Sequence, residues 1–291
     1  MTTETVFAMS TAAAIGLAGW WSGHRLGRQN RVSRVLFASV ILLTLTLSWT
    51  FSGRLSWAIV MPWSEVIHWS NMMPAFLAFA AGLALRAPGM NRLLRPVTTG
   101  VLALLAVGFW SAPLARPLIR PTGLKANAVV GWRQGVCLQT HESSCGAASS
   151  ATLLGEHGIA VNEVDMLKPC MTSGFGTEPL GLYRGLHIIG EQHGLRPRVV
   201  SSDARRWRKE HFPNVAIVRF KTLGDERLAP WLHPFTGFIG AATDRHAVTV
   251  LGRTESGDWR IADPAVGPVI WTNRQFHERF TGDAICMSPI R

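Results

Sequence analysis

Charge is scarce in this chain. Charged residues make up 16% of its 291 residues, whereas soluble domains average about 25%, and hydrophobic residues reach 47%. The shortage is greatest in the first 120 residues, where Glu4 and Glu65 are the only acidic side chains. This composition argues against a uniformly soluble protein. It predicts a membrane region followed by a second domain, with the boundary near residues 116–125.

Signatures of phosphate and metal binding are also missing. No segment fits Gly-x-x-x-x-Gly-Lys-Ser/Thr, and none of the four lysines follows a glycine, so the sequence predicts no use of ATP. Cys137, His141 and Cys145 are spaced four apart, as zinc ligands on a helix can be, but the sequence has no Cys-x-x-Cys clip to add further ligands. We therefore expect no metal and no cofactor, with a structural zinc as the open alternative.

The formal net charge of +11 does not indicate nucleic-acid binding once it is divided by region. Residues 1–124 hold ten arginines against two acidic residues, whereas residues 125–291 hold nineteen basic residues against sixteen acidic ones. The basic run at 205–209 has the composition to meet lipid headgroups or an acidic substrate segment, although a solvated surface is the commoner explanation. No fingerprint of a nucleic-acid-binding fold accompanies it, so we expect no nucleic-acid partner.

Four charge-free stretches occupy the first 120 residues: 5–21, 35–52, 66–85 and 96–115. Each is close to the ~20 residues that a helix needs to cross a bilayer. The first is rich in alanine and glycine, which suits close helix packing in lipid, and the third carries His68 and Asn71 in its first half. The sequence predicts an all-α bundle of about four transmembrane helices in residues 1–120, with three as the fallback.

Arginines predict the topology of this bundle. Loops 22–34 and 86–95 are rich in arginine and would share one side, which the positive-inside rule makes cytoplasmic. The protein is then a multi-pass protein of the bacterial inner membrane, and its C-terminal domain is extracytoplasmic. Arg116, Arg120 and Lys125 favour the opposite orientation mildly. No basic segment precedes the first stretch, so a cleaved signal peptide is not expected.

One ordered set of residues carries chemistry. Gln139 stands six residues before Cys145, which begins Cys-Gly-Ala-Ala; His246 begins His-Ala-Val, and Asp263 begins an Asp-Pro step. In this order a papain-type site has its nucleophile, its base and the group that orients the base. The Gln139 amide would be an oxyanion donor. Each residue alone is most often structural, but the ordered set predicts a catalytic site.

The local patterns suit these roles. The small-residue run that starts at Cys145 predicts a helix, and a Cys at a helix N-terminus lies where the macrodipole favours a thiolate. The alternating run 247–251 after His246 predicts a strand, and a turn at 254–258 predicts that 259–263 returns as its hairpin partner. An antiparallel return of this length brings His246 and Asp263 together.

These residues resemble peptidase family C39, the cysteine peptidases that remove double-glycine leaders from bacteriocin-like peptides. The resemblance covers roughly residues 125–291 and implies an α+β, papain-like cysteine peptidase domain. Two features depart from the transporter-linked members. Here the membrane part comes first and no ATPase follows, and extra length at 221–244 precedes His246 as a lid or a docking loop.

The sequence therefore predicts a membrane-anchored cysteine endopeptidase that cleaves a leader or exported peptide or protein, after small residues such as Gly-Gly. The expected partners are that substrate, membrane lipid and a separate exporter. Two alternatives stay open: a catalytically silent C39-like domain that binds a leader or secretion partner, and a small transporter with a regulatory domain. Two of Cys137, Cys170 and Cys286 could form a disulfide in an oxidising compartment, but their spacing does not say which.

Overall fold

The computed structural model describes residues 3–28, 32–50, 53–87, 90–125, 129–220 and 245–290. These residues form two compact units. The first contains Met1–Arg54 and Ile67–Pro113, and the second contains Leu55–Val66 and Leu114–Arg291. The second unit therefore includes two stretches upstream of the domain expected at 125–291.

The first unit is helical. Its elements are α1 (Thr3–Leu26), α2 (Val32–Thr50), α4 (Val66–Trp69, which begins at the boundary), α5 (Met73–Arg86) and α6 (Leu94–Ile119, which continues into the second unit). Leu77 and three alanines of α5 form its core, and they pack against residues of α2 and α6. The short α3 (Trp57–Val60) belongs to the second unit.

Glycines set the distance between α1 and α5. A Cβ added at Gly23 would overlap the carbonyl oxygen of Phe79, and one added at Gly82 would overlap that of Trp20. A Cβ at Gly19 would lie 3.0 Å from the carbonyl oxygen of Ala75. The two backbones therefore approach more closely than larger residues allow, which is the packing typical of small-xxx-small motifs between membrane helices.

Two helices among the described residues are long and apolar enough to cross a membrane, Val66–Arg86 and Leu94–Ile119. The predicted number of four spans is thus not supported. α1 is long enough, but its glycines, serines and tryptophans lower its mean hydropathy, and the apolar stretch found among the described side chains of α2 is Val35–Leu47. The two helices are assigned as candidate spans by their length and composition.

The second unit is an α+β domain, as the sequence predicts. Its further helices are α7 (Cys145–Glu156), α8 (Glu163–Leu167), α9 (Pro179–Glu191) and α10 (Asn273–Arg279). A small hairpin joins β1 (Trp132–Arg133) and β2 (Val136–Cys137). The main sheet contains β3 (Leu195–Val199), β4 (Asn214–Arg219), β5 (Arg245–Arg253), β6 (Trp259–Asp263), β7 (Gly267–Trp271) and β8 (Phe280–Pro289).

This sheet is antiparallel throughout, in the order β3-β8-β4-β5-β6-β7. The predicted β5–β6 hairpin is confirmed, and its turn closes through a 2.9 Å hydrogen bond from Thr254 N to Asp258 O. A core of aromatic rings around Trp207, Trp259 and Phe276 covers one face of the sheet. Residues 221–244, the predicted lid or docking loop, lie outside the described residues.

Candidate active site

Cys145 is the first residue of α7, where the sequence predicts it. The helix is fixed to strand β5 by two hydrogen bonds that run in opposite directions. Ser149 Oγ donates to the Ala247 carbonyl oxygen at 2.9 Å, and Thr249 Oγ1 donates to the Ser149 carbonyl oxygen at 2.9 Å. Because His246 is on the same strand, these bonds fix the helix of the Cys relative to the strand of the His.

His246 and Asp263 are brought together by the β5–β6 hairpin, in which Thr249 pairs with Ala262. His246 Nε2 lies 2.8 Å from Asp263 Oδ1, and both side chains are largely buried. The same carboxylate oxygen accepts a hydrogen bond from Ala265 N at 2.9 Å, which holds it toward the ring. Since Nε2 is taken by Asp263, Nδ1 is the ring nitrogen left for Cys145.

The electrostatics of His246 favour its charged form. Burial disfavours the imidazolium, but hydrogen bonds to Asp263 and to Cys145 outweigh that effect and raise the pKa of His246 to about 9. An imidazolium hydrogen-bonded to a Cys at a helix N-terminus is the surrounding in which a thiolate is stabilised. The geometry therefore suits a nucleophilic role for this cysteine.

Gln139 lies at the edge of the same site. Its backbone N–H donates to the Pro264 carbonyl oxygen at 2.8 Å, which ties it to the residue after Asp263. Its Nε2 donates to the His141 carbonyl oxygen at 3.1 Å, which engages one of the two amide hydrogens. Within the described part of the chain, Gln139 Oε1 is buried without a hydrogen-bond partner.

Glu163 is a residue of this region that sequence reasoning missed. Its carboxylate is fully buried and accepts hydrogen bonds from Thr140 N at 2.9 Å and from Thr140 Oγ1 at 2.7 Å. It thereby holds the loop between Gln139 and Cys145. The capping box of Asn162 could have indicated that a helix begins here, but no local pattern indicates the contact with Thr140.

Aromatic side chains also surround His246 in a way that the sequence did not indicate. The Phe220 ring lies 5.6 Å from the His246 ring, centroid to centroid, and Trp271 meets Phe220 edge-on at 6.0 Å. The Arg279 guanidinium lies over both Phe220 and Trp271, at 4.9 and 4.6 Å from their ring centroids. This stack packs against the His246 ring through Phe220.

The other cysteines do not share the environment of Cys145. Burial raises the pKa of the Cys137 and Cys170 thiols to about 12 and also raises that of Cys286. All four cysteines are free thiols, so the structure contains no disulfide between the three candidates. Among the described residues no group of three His, Cys, Asp or Glu side chains could hold a metal ion, so the spacing of Cys137, His141 and Cys145 does not assemble a zinc site.

Comparison with solved structures finds several peptidase domains. One is a double glycine motif protease from an AMS/PCAT transporter in complex with the leader peptide, with 23% identity over 56% of this chain and 93% of that chain and a TM-score of 0.40. Another is the peptidase domain of Streptococcus ComA, a bifunctional ABC transporter involved in a quorum sensing pathway, with 19% identity, coverage of 52% and 96%, and a TM-score of 0.38. No curated protein sequence matches the chain.

The model of the Peptidase C39 family matches residues 133–223. The matched segment contains Gln139 and Cys145 and the loop between them, whereas His246 and Asp263 lie downstream of it. The α+β domain of the second unit agrees with the papain-like fold that the resemblance implies. The resemblance of this chain to peptidase family C39 is therefore confirmed over residues 133–223.

Proposed function

We propose that this protein is a cysteine endopeptidase of the C39 type, held in a membrane by its N-terminal helices, that cleaves a leader or exported peptide after small residues such as Gly-Gly. The observation that carries the proposal is the chain of contacts from Asp263 through His246 to Cys145 at the start of α7. A leader-binding module needs no such chain, because binding requires no activated thiolate.

The reaction follows from these positions. The Cys145 thiolate attacks the scissile carbonyl carbon, and the carbonyl oxygen becomes an oxyanion that accepts hydrogen bonds from the Gln139 amide and the Cys145 backbone N–H. Each such donor contributes roughly 3 kcal/mol to the barrier reduction. The His246 imidazolium donates its proton to the leaving amine, which releases the C-terminal fragment and leaves a thioester. A water molecule, deprotonated by His246, then hydrolyses the thioester and restores the thiolate, while Asp263 keeps the imidazole in one tautomer.

The proposed substrate rests on the motif resemblance and on the match to the C39 family. A peptide that carries a double-glycine leader is the substrate class of that family, and a separate exporter is the partner that would take the released product. The chemistry needs neither ATP nor a metal ion, because the nucleophile, base and oxyanion donors are all side-chain or backbone groups.

The membrane topology is part of the proposal. Segment Leu55–Val66 belongs to the same compact unit as Leu114–Arg291, which supports a location of both stretches on one side of a membrane. The two apolar helices Val66–Arg86 and Leu94–Ile119 connect these stretches, and Val66 and residues 114–119 already belong to the shared unit. Two crossings of the membrane by these helices would return the chain to the same side. The arginines of loops 22–34 and 86–95 favour an extracytoplasmic location for this side. The close packing of α1 on α5 supports α1 as a further helix of the membrane region.

The test is alkylation of the purified full chain by iodoacetamide, followed residue by residue by mass spectrometry, together with cleavage of peptides that contain Gly-Gly. We expect rapid labelling of Cys145 at mildly acidic pH, a sharp drop in His246→Ala, and no change in Cys170→Ala, the matched control for loss of a thiol. Slow labelling shared among all four cysteines would contradict the proposal and favour a leader-binding domain without activity.

A further inference from the structure

Two segments upstream of the region expected to form the peptidase domain belong to the second compact unit. One is Leu55–Val66, whose end residues Leu55 and Val66 are fully buried. The other is the C-terminal end of α6 with the residue that follows it, 114–120. Both stretches contact α9 or the loop that precedes it, residues 173–178, and we call that loop the α9 loop.

The first contact is a buried ion pair. Glu65 and Arg184 are 4% and 6% exposed, and Arg184 Nε and Nη2 lie 3.1 and 3.0 Å from Glu65 Oε1. Arg184 Nη1 also donates to the Pro169 carbonyl oxygen at 2.8 Å. These contacts hold the Arg184 guanidinium in place, because any movement that breaks one of them would leave buried charge without a partner. Glu65 thus fixes the middle of α9.

The second set of contacts fixes the α9 loop itself. Arg116 forms an ion pair with Glu178, the residue immediately before α9. Gly174 N donates to the Arg120 carbonyl oxygen at 2.6 Å, and the Arg120 guanidinium lies 5.2 Å from the Phe175 ring centroid. The Arg120 side chain runs so close to the loop that a Cβ added at Gly174 would lie 2.6 Å from Arg120 Cγ.

The α9 loop borders the nucleophile. A Cβ added at Gly146, the residue after Cys145, would lie 2.8 Å from Thr177 Cβ and 2.9 Å from Thr177 Oγ1. Thr177 Oγ1 is in turn 2.7 Å from Thr172 Oγ1, and the loop is closed by a bridge between Ser173 and Gly176. Any shift of this loop therefore changes the packing against the first turn of α7, the helix that begins with Cys145.

We propose that segments 55–66 and 114–120 act as a brace that positions the α9 loop beside Cys145, with Arg120 and Glu65 as its positioning residues. The proposal rests on the function proposed above for its substrate, a peptide that lies beside Cys145. The brace acts on binding of that peptide. It does not act on the thiolate, which is set by α7, β5 and β6. Loss of the brace therefore raises KM for a peptide and leaves the alkylation rate of Cys145 unchanged.

The sharpest test is a double-mutant cycle on the contact between Arg120 and Gly174. Gly174→Ala places a methyl group against Arg120 Cγ, Cδ and Nε, whereas Arg120→Ala removes those three atoms. Gly174 has no positive φ, so the new Cβ clashes with Arg120 and does not strain the backbone. We expect Gly174→Ala to raise KM on the order of tenfold or more, because misplacement of a site wall by about 1 Å costs up to about a hundredfold. In the double variant the clash is absent, so most of the increase in KM that the clash causes should be reversed.

The matched control is Gly131→Ala, in the same unit, where a Cβ meets only Leu138 at an ordinary 3.6 Å. All variants are studied as the full chain in detergent micelles, with three readouts: KM and kcat for a Gly-Gly peptide, the rate of Cys145 alkylation by iodoacetamide, and hydrogen exchange of residues 172–178. The brace predicts faster exchange of that loop in Gly174→Ala and slower exchange in the double variant. Wild-type KM and exchange in Gly174→Ala, or an equal effect with and without Arg120, would overturn it.

Glu65 is tested separately because its loss can unfold the domain. Glu65→Ala leaves Arg184 buried without a carboxylate, whereas Glu65→Leu combined with Arg184→Met removes both charges and keeps apolar volume. We expect exchange of α9 and its loop to rise in Glu65→Ala and to return toward wild type in the double variant. Unchanged exchange in Glu65→Ala would overturn the role of Glu65. If wild type cleaves no peptide, the exchange data still test the brace, so its failure and that of the peptidase proposal are distinguishable.

Discussion

Replacing Asp263 by asparagine tests the electrostatics of the proposed catalytic pair, Asp263 and His246. The change keeps the size of the side chain but removes the negative charge 2.8 Å from His246 Nε2. Burial alone disfavours the imidazolium, and the two hydrogen bonds to Asp263 and Cys145 reverse that effect to give His246 a pKa of about 9. Without the carboxylate, we expect this pKa to fall toward or below the ordinary value of about 6.5.

The magnitude follows from the size of the shift. A rise from about 6.5 to about 9 corresponds to about 3 kcal/mol of preference for the charged ring in the folded protein. Because the folded state holds the proton more tightly than the unfolded state, this stabilisation is fully present below pH 6.5 and is lost as the pH rises to about 9. The wild type should therefore lose stability steadily between these two pH values, and Asp263→Asn should show a much smaller slope in that window.

The assay is thermal unfolding of the full chain in detergent at half-unit steps from pH 6 to pH 9.5, paired with peptide cleavage at each pH. Asp263→Asn should also lose roughly a hundredfold to ten-thousandfold in kcat, since a wrongly oriented imidazole no longer serves as acid and base. Asp203→Asn is the matched control, because Asp203 is a more exposed carboxylate whose charged partners are Arg205 and Arg206. Equal pH slopes in wild type and Asp263→Asn would refute the assignment of the raised pKa to this contact.

Three further changes have defined outcomes. Thr249→Val removes the hydrogen bond to Ser149 O and should lower the free energy of unfolding by about 1 kcal/mol, with a larger loss in kcat than in KM, as measured by thermal unfolding and steady-state kinetics. Glu163→Gln replaces a buried acceptor of two donors and should slow Cys145 acylation by a substrate ester while iodoacetamide labelling stays unchanged; labelling that falls equally would contradict a role confined to the loop. Gly23→Ala should lower the melting temperature in detergent because its methyl group overlaps a carbonyl of α5, whereas Gly16→Ala, with open space around it, should raise it slightly.

The parts of the site that the sequence predicts are those set by local patterns. His246 begins an alternating strand, a turn follows, and Asp263 ends the returning strand, so the hairpin alone determines that the two side chains meet. Cys145 begins a run of small residues that forms α7. In these places the order of residues along the chain determines which side chains meet. Tertiary packing then sets the distances between their atoms.

The contacts that the sequence does not predict join residues far apart in the chain. Glu65 and Arg184 are separated by 119 positions, and neither lies in a motif. Glu163 reads as an ordinary first-turn acid of a short helix, since acidic residues favour that position whether or not they have a distant partner. A buried carboxylate is identified only when the fold shows what surrounds it. The composition of the sequence and its hydrophobic periodicity do not contain that information.

Two of the four predicted spans are found among the described residues, because an absence of charge is a weaker criterion than hydropathy. α1 is almost free of charge, but its glycines, serines and tryptophans carry little transfer free energy into lipid. Those same glycines allow α1 to approach the backbone of α5. Small residues exchange hydrophobicity for close packing, so the composition that suits a packed membrane helix is the one that a hydropathy threshold rejects.

The small residues of α7 have a comparable effect in the catalytic domain. Five consecutive positions from Ala147 to Ala151 are fully buried, and none is larger than serine. Only side chains of this size let the helix lie near enough to β5 for Ser149 and Thr249 to exchange hydrogen bonds with opposite backbones. Larger residues would separate the helix from the strand and so separate Cys145 from His246. The raised pKa of His246 depends on a hydrogen bond to Cys145, and such a bond weakens steeply with distance. The small-residue run is therefore needed for the proposed pair of Cys145 and His246 as well as for the core.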